Sequence, residues 1–267
     1  MPPLSVVVIT RNEERNLPRL LASVRALDAE VLVVDSGSTD ATVAVARAAG
    51  ARVLHRDWTG YGDQRLFAAR AAAHDWILSL DADERLTPEL AGAVRAELSR
   101  PEAERAAAYR IHFRHVALGR PVRFGAMWRD RRVRLFDRRR AGWDGAAVHE
   151  RVVVRGPVGA LAGRCEHEGF RDEAQAREKL ARYARLKAEA RFERGARFHA
   201  WQLLRWPAGF VRRYLLDLGF LDGAAGFALA RLYAGYDLEK ATVLRRLARE
   251  RAGALPRPLG APHPQGS

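Results

Sequence analysis

The chain has 267 residues, 48% of them hydrophobic, and a formal net charge of +14. That apolar content supplies a sizeable core and excludes global disorder, and the length fits one large domain or one domain with an appendage. A single cysteine, Cys165, excludes a disulfide framework and a cysteine zinc site, and agrees with a reducing cytosol.

In chain order, MPPLSVVVIT lacks a basic leading region and a long apolar run, so it reads as a first strand (4–9) rather than a signal peptide. Residues 12–27 form a helix that places Leu17, Leu20, Leu21 and Val24 on one face. EVLVVD (30–35) is a second buried strand, and 39–50 a helix capped by Thr39 or Asp40 and stopped by Gly50. ARVLHR is a third strand, 62–74 a helix and DWILSL (75–80) a fourth strand. Thr87-Pro88 opens another helix, with a capping hydroxyl and proline at its first position. Strand and helix alternating in this way predict an α/β fold with a mostly parallel sheet covered on both faces.

After residue 106 the rhythm changes. AAYRIHFRHVALG, RRVRLFDR and ERVVVRG are strands without helices between them, which predicts an antiparallel or mixed extension. From 172 the pattern is helical: a charged helix over 172–195, then an aromatic- and arginine-rich amphipathic region over 199–250. The reading divides the chain into 1–170, with halves 1–106 and 107–170, a helical extension over 171–252, and a Pro/Gly-rich disordered tail over 253–267. No apolar stretch approaches the ~18 residues a membrane span needs.

Charge is unevenly spread. Residues 1–100 carry 12 Lys/Arg against 14 Asp/Glu; the remainder carries 34 against 18. Such a basic surface attracts nucleic acid, anionic lipid or phosphorylated substrates, and charge alone does not choose among them. Only three of the basic residues are lysines, a bias that a GC-rich genome produces by itself.

Ligands of open parallel sheets bind beyond the carboxyl ends of the strands. At those ends lie Thr10-Arg11-Asn12-Glu13, Asp35-Ser36-Gly37-Ser38-Thr39-Asp40 and Asp81-Ala82-Asp83. Asp81 and Asp83 can both reach a hard cation if the chain bends or one acts through water. Magnesium favours such oxygens and is completed by substrate phosphates, so a nucleoside diphosphate is the implied ligand. An isolated Asp-x-Asp is common in solvated loops; its place after a buried strand makes it informative. The Asp35–Thr39 turn reads equally as a plain strand-to-helix connection, with Gly37 at positive φ, or as a uracil and ribose contact through Asp35 and Ser38. The chain lacks the glycine-rich dinucleotide fingerprint, the P-loop and the nucleophile elbow. His149-Glu150 and His167-Glu168 lack the second histidine of a zinc-protease motif.

Together, VVVITRNEERNLPRLL, VLVVDSGSTDATVAVA, GYGDQRLFAA and WILSLDADERLTPEL resemble glycosyltransferase family 2, the inverting GT-A fold. VRLFDRRRAGWDGAAVHERV and YLLDLGFLDGAAGFALA are similar to the branch that builds the lipopolysaccharide core, which contains glucosyltransferases. The resemblance spans about residues 4–240 and implies a UDP-sugar donor, UDP-glucose foremost, with a divalent cation, Mg2+ or Mn2+, as cofactor. By position, Thr10, Asn12 and Glu13 would border the nucleotide and Asp35 would read the uracil, with Ser38 at its ribose or phosphate. Gln64 and Arg65 would approach the pyrophosphate. Asp81 and Ala82 would contact donor or metal-bound water, and Asp83 would ligate the metal, with His149 or His167 completing the shell. Relatives often carry Asn where this chain has Leu66, so that contact is missing here.

An inverting transfer needs a carboxylate to deprotonate the acceptor hydroxyl. The family's slot for it corresponds to Val148-His149-Glu150, which makes Glu150 the expected base, with Asp144 and Asp130 in reserve. The plain alternative for Glu150 is a surface residue opening the strand ERVVV. The basic rear carries Trp201, Trp206, Phe210, Tyr214, Phe220, Phe227 and Tyr233 among arginines, as interfacial helices do, although ordinary helix packing produces the same pattern. A glycolipid acceptor would place the enzyme in the cytoplasm, peripheral on the inner face of the membrane. The rival expectations are a nucleotidyltransferase on a similar scaffold and a non-catalytic basic module that binds membrane or nucleic acid. Acidic strand ends argue against nucleic acid, whose phosphates they repel.

Overall fold

The computed structural model describes residues 2–125, 130–144 and 150–254. The chain forms two compact units, Met1–Ala117 with Arg129–Gly169, and Leu118–Trp128 with Phe170–Ser267. The helical unit thus takes in Leu118–Trp128, a segment the sequence places in the acceptor-side half. The expected tail begins within the last helix, which runs to Ala254; residues 255–267 lie outside the described residues.

The first unit is built on a sheet that starts with β1 (Leu4–Thr10), β2 (Glu30–Asp35), β3 (Arg52–His55) and β4 (Trp76–Asp81). These lie in the order β3-β2-β1-β4, all parallel. The helices α1 (Leu17–Val24), α2 (Thr42–Ala48) and α3 (Tyr61–Ala71) alternate with the strands. Alternate strand residues feed separate cores: Val6, Val8, Val33 and Leu78 join α1, while Val7, Leu32, Val34 and Ile77 join α3. Burial on both faces explains why these strands are continuous apolar runs. Each fully buried Leu, Ile or Val contributes about 1.5–3 kcal/mol.

Beyond β4 come β5 (Glu84–Leu86), α4 (Pro88–Leu98) and β6 (Ala108–Ala117). Thr87 caps α4, accepting from Leu90 N at 3.3 Å, with Pro88 in its first turn. One short strand of the second unit, β7 (Arg120–Val122), precedes β8 (Arg131–Asp137), β9 (Ala141–Trp143), β10 (Val152–Val154), β11 (Val158–Ala160) and β12 (Cys165–Phe170). The sheet continues β4-β8-β6-β12-β5, with β8 antiparallel to both β4 and β6. The mixed α/β architecture, mostly parallel at the start and antiparallel in its extension, is the one the sequence predicts.

Two helix starts differ by three residues or more. The helix expected from residue 12 begins at Leu17, because Asn12 takes a left-handed φ of 57° and Asn16 N and Leu17 N both bond back to the Glu13 carbonyl. The helix expected from Thr39 begins at Thr42, with Ala41 at its cap and Asp40 Oδ1 accepting from Thr42 N at 3.0 Å.

The second unit holds the charged helix α5 (Glu173–Glu193), capped by Asp172, then α6 (Arg205–Val211), a π-helical turn (Arg212–Leu216) and α7 (Gly223–Ala254). Arg213 and Lys240 both pair with Asp237, at 2.8 and 2.7 Å. Among the described residues no helix is long and apolar enough to cross a membrane.

Candidate active site

Sheet register assembles the site. Thr10 pairs with Asp35 and Ile9 with Asp81, so the carboxyl ends of β1, β2 and β4 finish at one level. At β2 the turn closes on Asp35. Its Oδ2 accepts from Gly37 N (3.0 Å) and Ser38 N (2.9 Å), and its Oδ1 from Thr10 Oγ1 (3.2 Å) and Ser38 Oγ. Gly37, at φ 80°, supplies the expected left-handed residue. Asn12 clasps the same turn: its N donates to Ser38 Oγ at 2.8 Å and its Oδ1 accepts from Thr39 N at 2.8 Å. Glu13 N donates to Thr42 Oγ1 at 2.7 Å, and Glu13 Oε2 accepts from Asn16 at 2.8 Å. Four predicted nucleotide contacts, Thr10, Asn12, Asp35 and Ser38, are thus bonded to one turn.

Gln64 and Arg65 lie on α3, both buried. Gln64 Nε2 donates to Ser36 Oγ (3.0 Å) and the Asp57 carbonyl (2.9 Å), while its Oε1 is buried without a partner. Arg65 ion-pairs with Glu150 and, at 2.5 Å, with Asp81, and its guanidinium lies 5.0 Å from the Trp143 ring.

The Asp-x-Asp pair divides. A turn at Ala82 and Asp83 separates β4 from β5, so the two acids meet different partners. Asp81 gives one oxygen to Arg65 and the other to Arg134, at 2.9 Å. Burial pushes its pKa up, but Arg134 and Arg65 outweigh burial and hold the carboxyl well below the usual range. Two guanidinia therefore occupy both Asp81 oxygens, the ones expected to share a cation. Asp83 Oδ2 instead lies 3.3 Å from His167 Nε2. Among the described residues no group of three or more His, Cys, Asp or Glu is arranged to hold a metal. Asp83 and His167 offer two ligands, which suits a cation completed by water and phosphate oxygens.

Glu150, the expected base, sits against Arg65 at this edge. His149 and Val148 lie outside the described residues. The reserves fit less well. Asp144 accepts from Arg151 N at 3.3 Å and lies 3.7 Å from the Arg151 guanidinium. Asp130 accepts from His115 at 2.9 Å and from Arg132 at 2.7 Å. Despite burial, those two bonds hold its carboxyl well below the usual range, which makes it a weak base.

Three participants escaped the sequence reading. Glu84, fully buried, accepts from Asp81 N (3.0 Å) and Arg134 (2.5 Å). Burial pushes its pKa up to about 7, with Asp81 adding to the rise and Arg134 opposing it. Arg134 joins Glu84 to Asp81, its own pKa raised because the two carboxylates outweigh burial. His115 links Asp130 to His167. The available signal was a charge inside an apolar strand: Arg134 in VRLF and His115 in IHFRHVA.

Residues 5–149 match the family model for glycosyl transferase family 2. A glycosyltransferase of Rickettsia typhi is 31% identical, over 86% of this chain and 85% of its own length. The lipopolysaccharide core biosynthesis glycosyltransferase LpsC of Rhizobium meliloti is 32% identical, over 88% of each. Among solved structures, glucosyl-3-phosphoglycerate synthase from Mycobacterium tuberculosis, crystallised with Mn2+, UDP and glucosyl-3-phosphoglycerate, is 26% identical with a TM-score of 0.36. That match covers 43% of this chain and 44% of the synthase, so the chain spans less than half the length of that structure. With more than half its residues inside the family model and relatives alike over nearly their full length, the chain belongs to glycosyl transferase family 2.

Proposed function

We propose that the chain is an inverting glycosyltransferase that moves a hexose from a UDP-sugar, UDP-glucose foremost, to a cell-envelope glycan such as lipopolysaccharide core. The observation that carries this reading is Arg65, a buried cation at the carboxyl edge of the sheet held between Glu150 and Asp81. A guanidinium fork matches phosphate as well as carboxylate. A donor diphosphate at this edge competes with Glu150 for Arg65, while Asp81, itself held by Arg134, keeps Arg65 in place. Glu150, once released, takes the proton of the acceptor hydroxyl as it attacks the anomeric carbon from the side opposite the diphosphate.

Asp83 and His167 are the residues that would hold a divalent cation, Mg2+ or Mn2+. Such an ion supplies positive charge to the departing diphosphate. Thr10, Asn12 and Glu13 border the nucleotide. Asp35 shapes the turn with all four of its bonds, and the Ser38 hydroxyl bond is the one a uracil imide can replace. Gln64 Oε1 remains as a buried acceptor for the donor.

The second unit suits a glycolipid acceptor. Trp201, Leu204, Leu215, Leu216, Phe220 and Phe227 are exposed along residues 201–227, beside Arg205 and Arg212. Apolar side chains with a cationic fringe fit the inner face of a cytoplasmic membrane, where anionic lipid gathers basic segments.

The test is turnover of a UDP-sugar panel with Mn2+ and a truncated core acceptor, read as UDP release and product configuration. The expected result is one preferred donor and an inverted anomeric centre. Retained configuration, or pyrophosphate release from a nucleoside triphosphate, would sink the reading. Glu150→Gln should bind donor normally while transfer falls by about 10²–10⁴-fold; undiminished transfer would move the base elsewhere.

A further inference from the structure

Four side chains from four places in the first unit form a line: Asp83 after β4, His167 on β12, His115 on β6 and Asp130 just before β8. His167 Nε2 lies 3.3 Å from Asp83 Oδ2, the two Nδ1 atoms of His167 and His115 lie 3.2 Å apart, and His115 Nε2 lies 2.9 Å from Asp130 Oδ2. His115 is buried, and both imidazoles lie 6.4 Å from the Phe113 ring centroid. We propose that His115 and Asp130 are a positioning pair. They fix His167 with its Nε2 turned to Asp83, so that the two make a seat for a divalent cation.

Hydrogen-bond direction gives the argument. Asp130 is fixed as an acceptor, because Arg132 Nε and Nη2 donate to its two oxygens at 3.0 and 2.7 Å. His115 Nε2 must therefore carry the hydrogen of that bond. With His115 Nδ1 accepting at 3.2 Å, His167 Nδ1 is the donor between the rings. That leaves His167 Nε2 facing Asp83 Oδ2 at 3.3 Å, where it donates to the carboxylate here and where a divalent cation would take the place of that hydrogen. Metal-binding histidines commonly have their second nitrogen fixed in this way, and loss of the fixing group typically weakens the metal 10–100-fold.

The proposal rests on the metal dependence put forward above, and its test separates the two. Mn2+ binding to the full chain with UDP present is measured by calorimetry, alongside thermal midpoints. His115→Phe, and independently Asp130→Ala, should weaken Mn2+ by roughly 10–100-fold. His115→Asn, whose carbonyl can still accept from His167 Nδ1, should stay within a few-fold of the parent. With Mg2+ bound, the ¹⁵N spectrum should show His167 as the Nδ1–H tautomer. An Nε2–H tautomer overturns the proposal. So does parental Mn2+ affinity in His115→Phe and Asp130→Ala when Asp83→Ala has lost it, an outcome that leaves the metal reading standing. A parent chain that binds no Mn2+ in the presence of UDP overturns both.

Discussion

In the first unit Arg134 is 2% exposed and bonded to Asp81 and Glu84, whereas in the second unit Leu216 is 73% exposed. The same contrast runs through their neighbours. The sheet unit hides charges and partners them, Arg65 and Arg134 serving three carboxylates between them. The helical unit leaves Trp201 57% and Leu204 66% exposed, although Phe210, Tyr214 and Phe227 pack against one another at centroid distances of 5.3–5.6 Å. A buried ion network is sensitive to the loss of any member, because the remaining charge stays buried. An exposed apolar surface contributes little to folding and is tolerated where a partner covers it.

The largest test of that contrast is Arg134→Met, which strands Glu84 and half of Asp81. It should cost about 3 kcal/mol in urea unfolding, near the lower end for breaking a buried pair, because Glu84 can respond by taking a proton. A loss below about 1 kcal/mol would mean that the network is not a structural element. Next, Gly226→Ala would place a Cβ on the Gly219 carbonyl inside the second unit, where α7 passes the turn at Gly219–Asp222. About 2 kcal/mol is expected from such overpacking, read as a lowered thermal midpoint of a transition that leaves catalytic-site mutants unaffected.

A smaller effect is the pH dependence of Glu84. Its folded pKa of about 7 lies above the ordinary 4.5, so the folded chain keeps a proton that the unfolded chain has lost between those values. Stability from this group is full below about 4.5 and declines as pH rises through about 7. Glu84→Gln should flatten that part of the midpoint-versus-pH curve; an unchanged slope would assign it to another group. The smallest effect on folding belongs to the second unit's surface. Trp201→Ser, Leu204→Ser and Leu216→Ser should each shift stability by no more than about 0.5 kcal/mol. Combined, they should abolish co-sedimentation with vesicles containing anionic lipid, and retained sedimentation would remove the membrane contact from the proposed function.

Much of this molecule was legible from sequence. The four parallel strands follow from β-branched runs, α1 from Leu17, Leu20, Leu21 and Val24, and the start of α4 from Thr87-Pro88. The acids at the strand ends followed from the same rhythm. The division of labour between Asp81 and Asp83 was less legible, since it depends on a turn at Ala82 and on two arginines that lie 16 and 53 residues away from Asp81. β5, β9 and β11 are three residues long, too short for periodicity to announce them, and β12 (CEHEGF) has no apolar run or alternation.

What the sequence determined by itself is therefore what neighbours along the chain decide: strand and helix rhythm, caps, and which residue types gather at the carboxyl edge. Local sterics and burial periodicity act over a few residues, and a few residues can be read. Only the tertiary structure decided that Arg65 stands between Glu150 and Asp81, that Glu84 and Arg134 lie beneath them, and that His115 joins Asp130 to His167. Those pairings are set by sheet order and register, which place β8, β6 and β12 side by side beyond β4. Electrostatic partners separated by 15 to 85 residues leave no period in the chain to announce them.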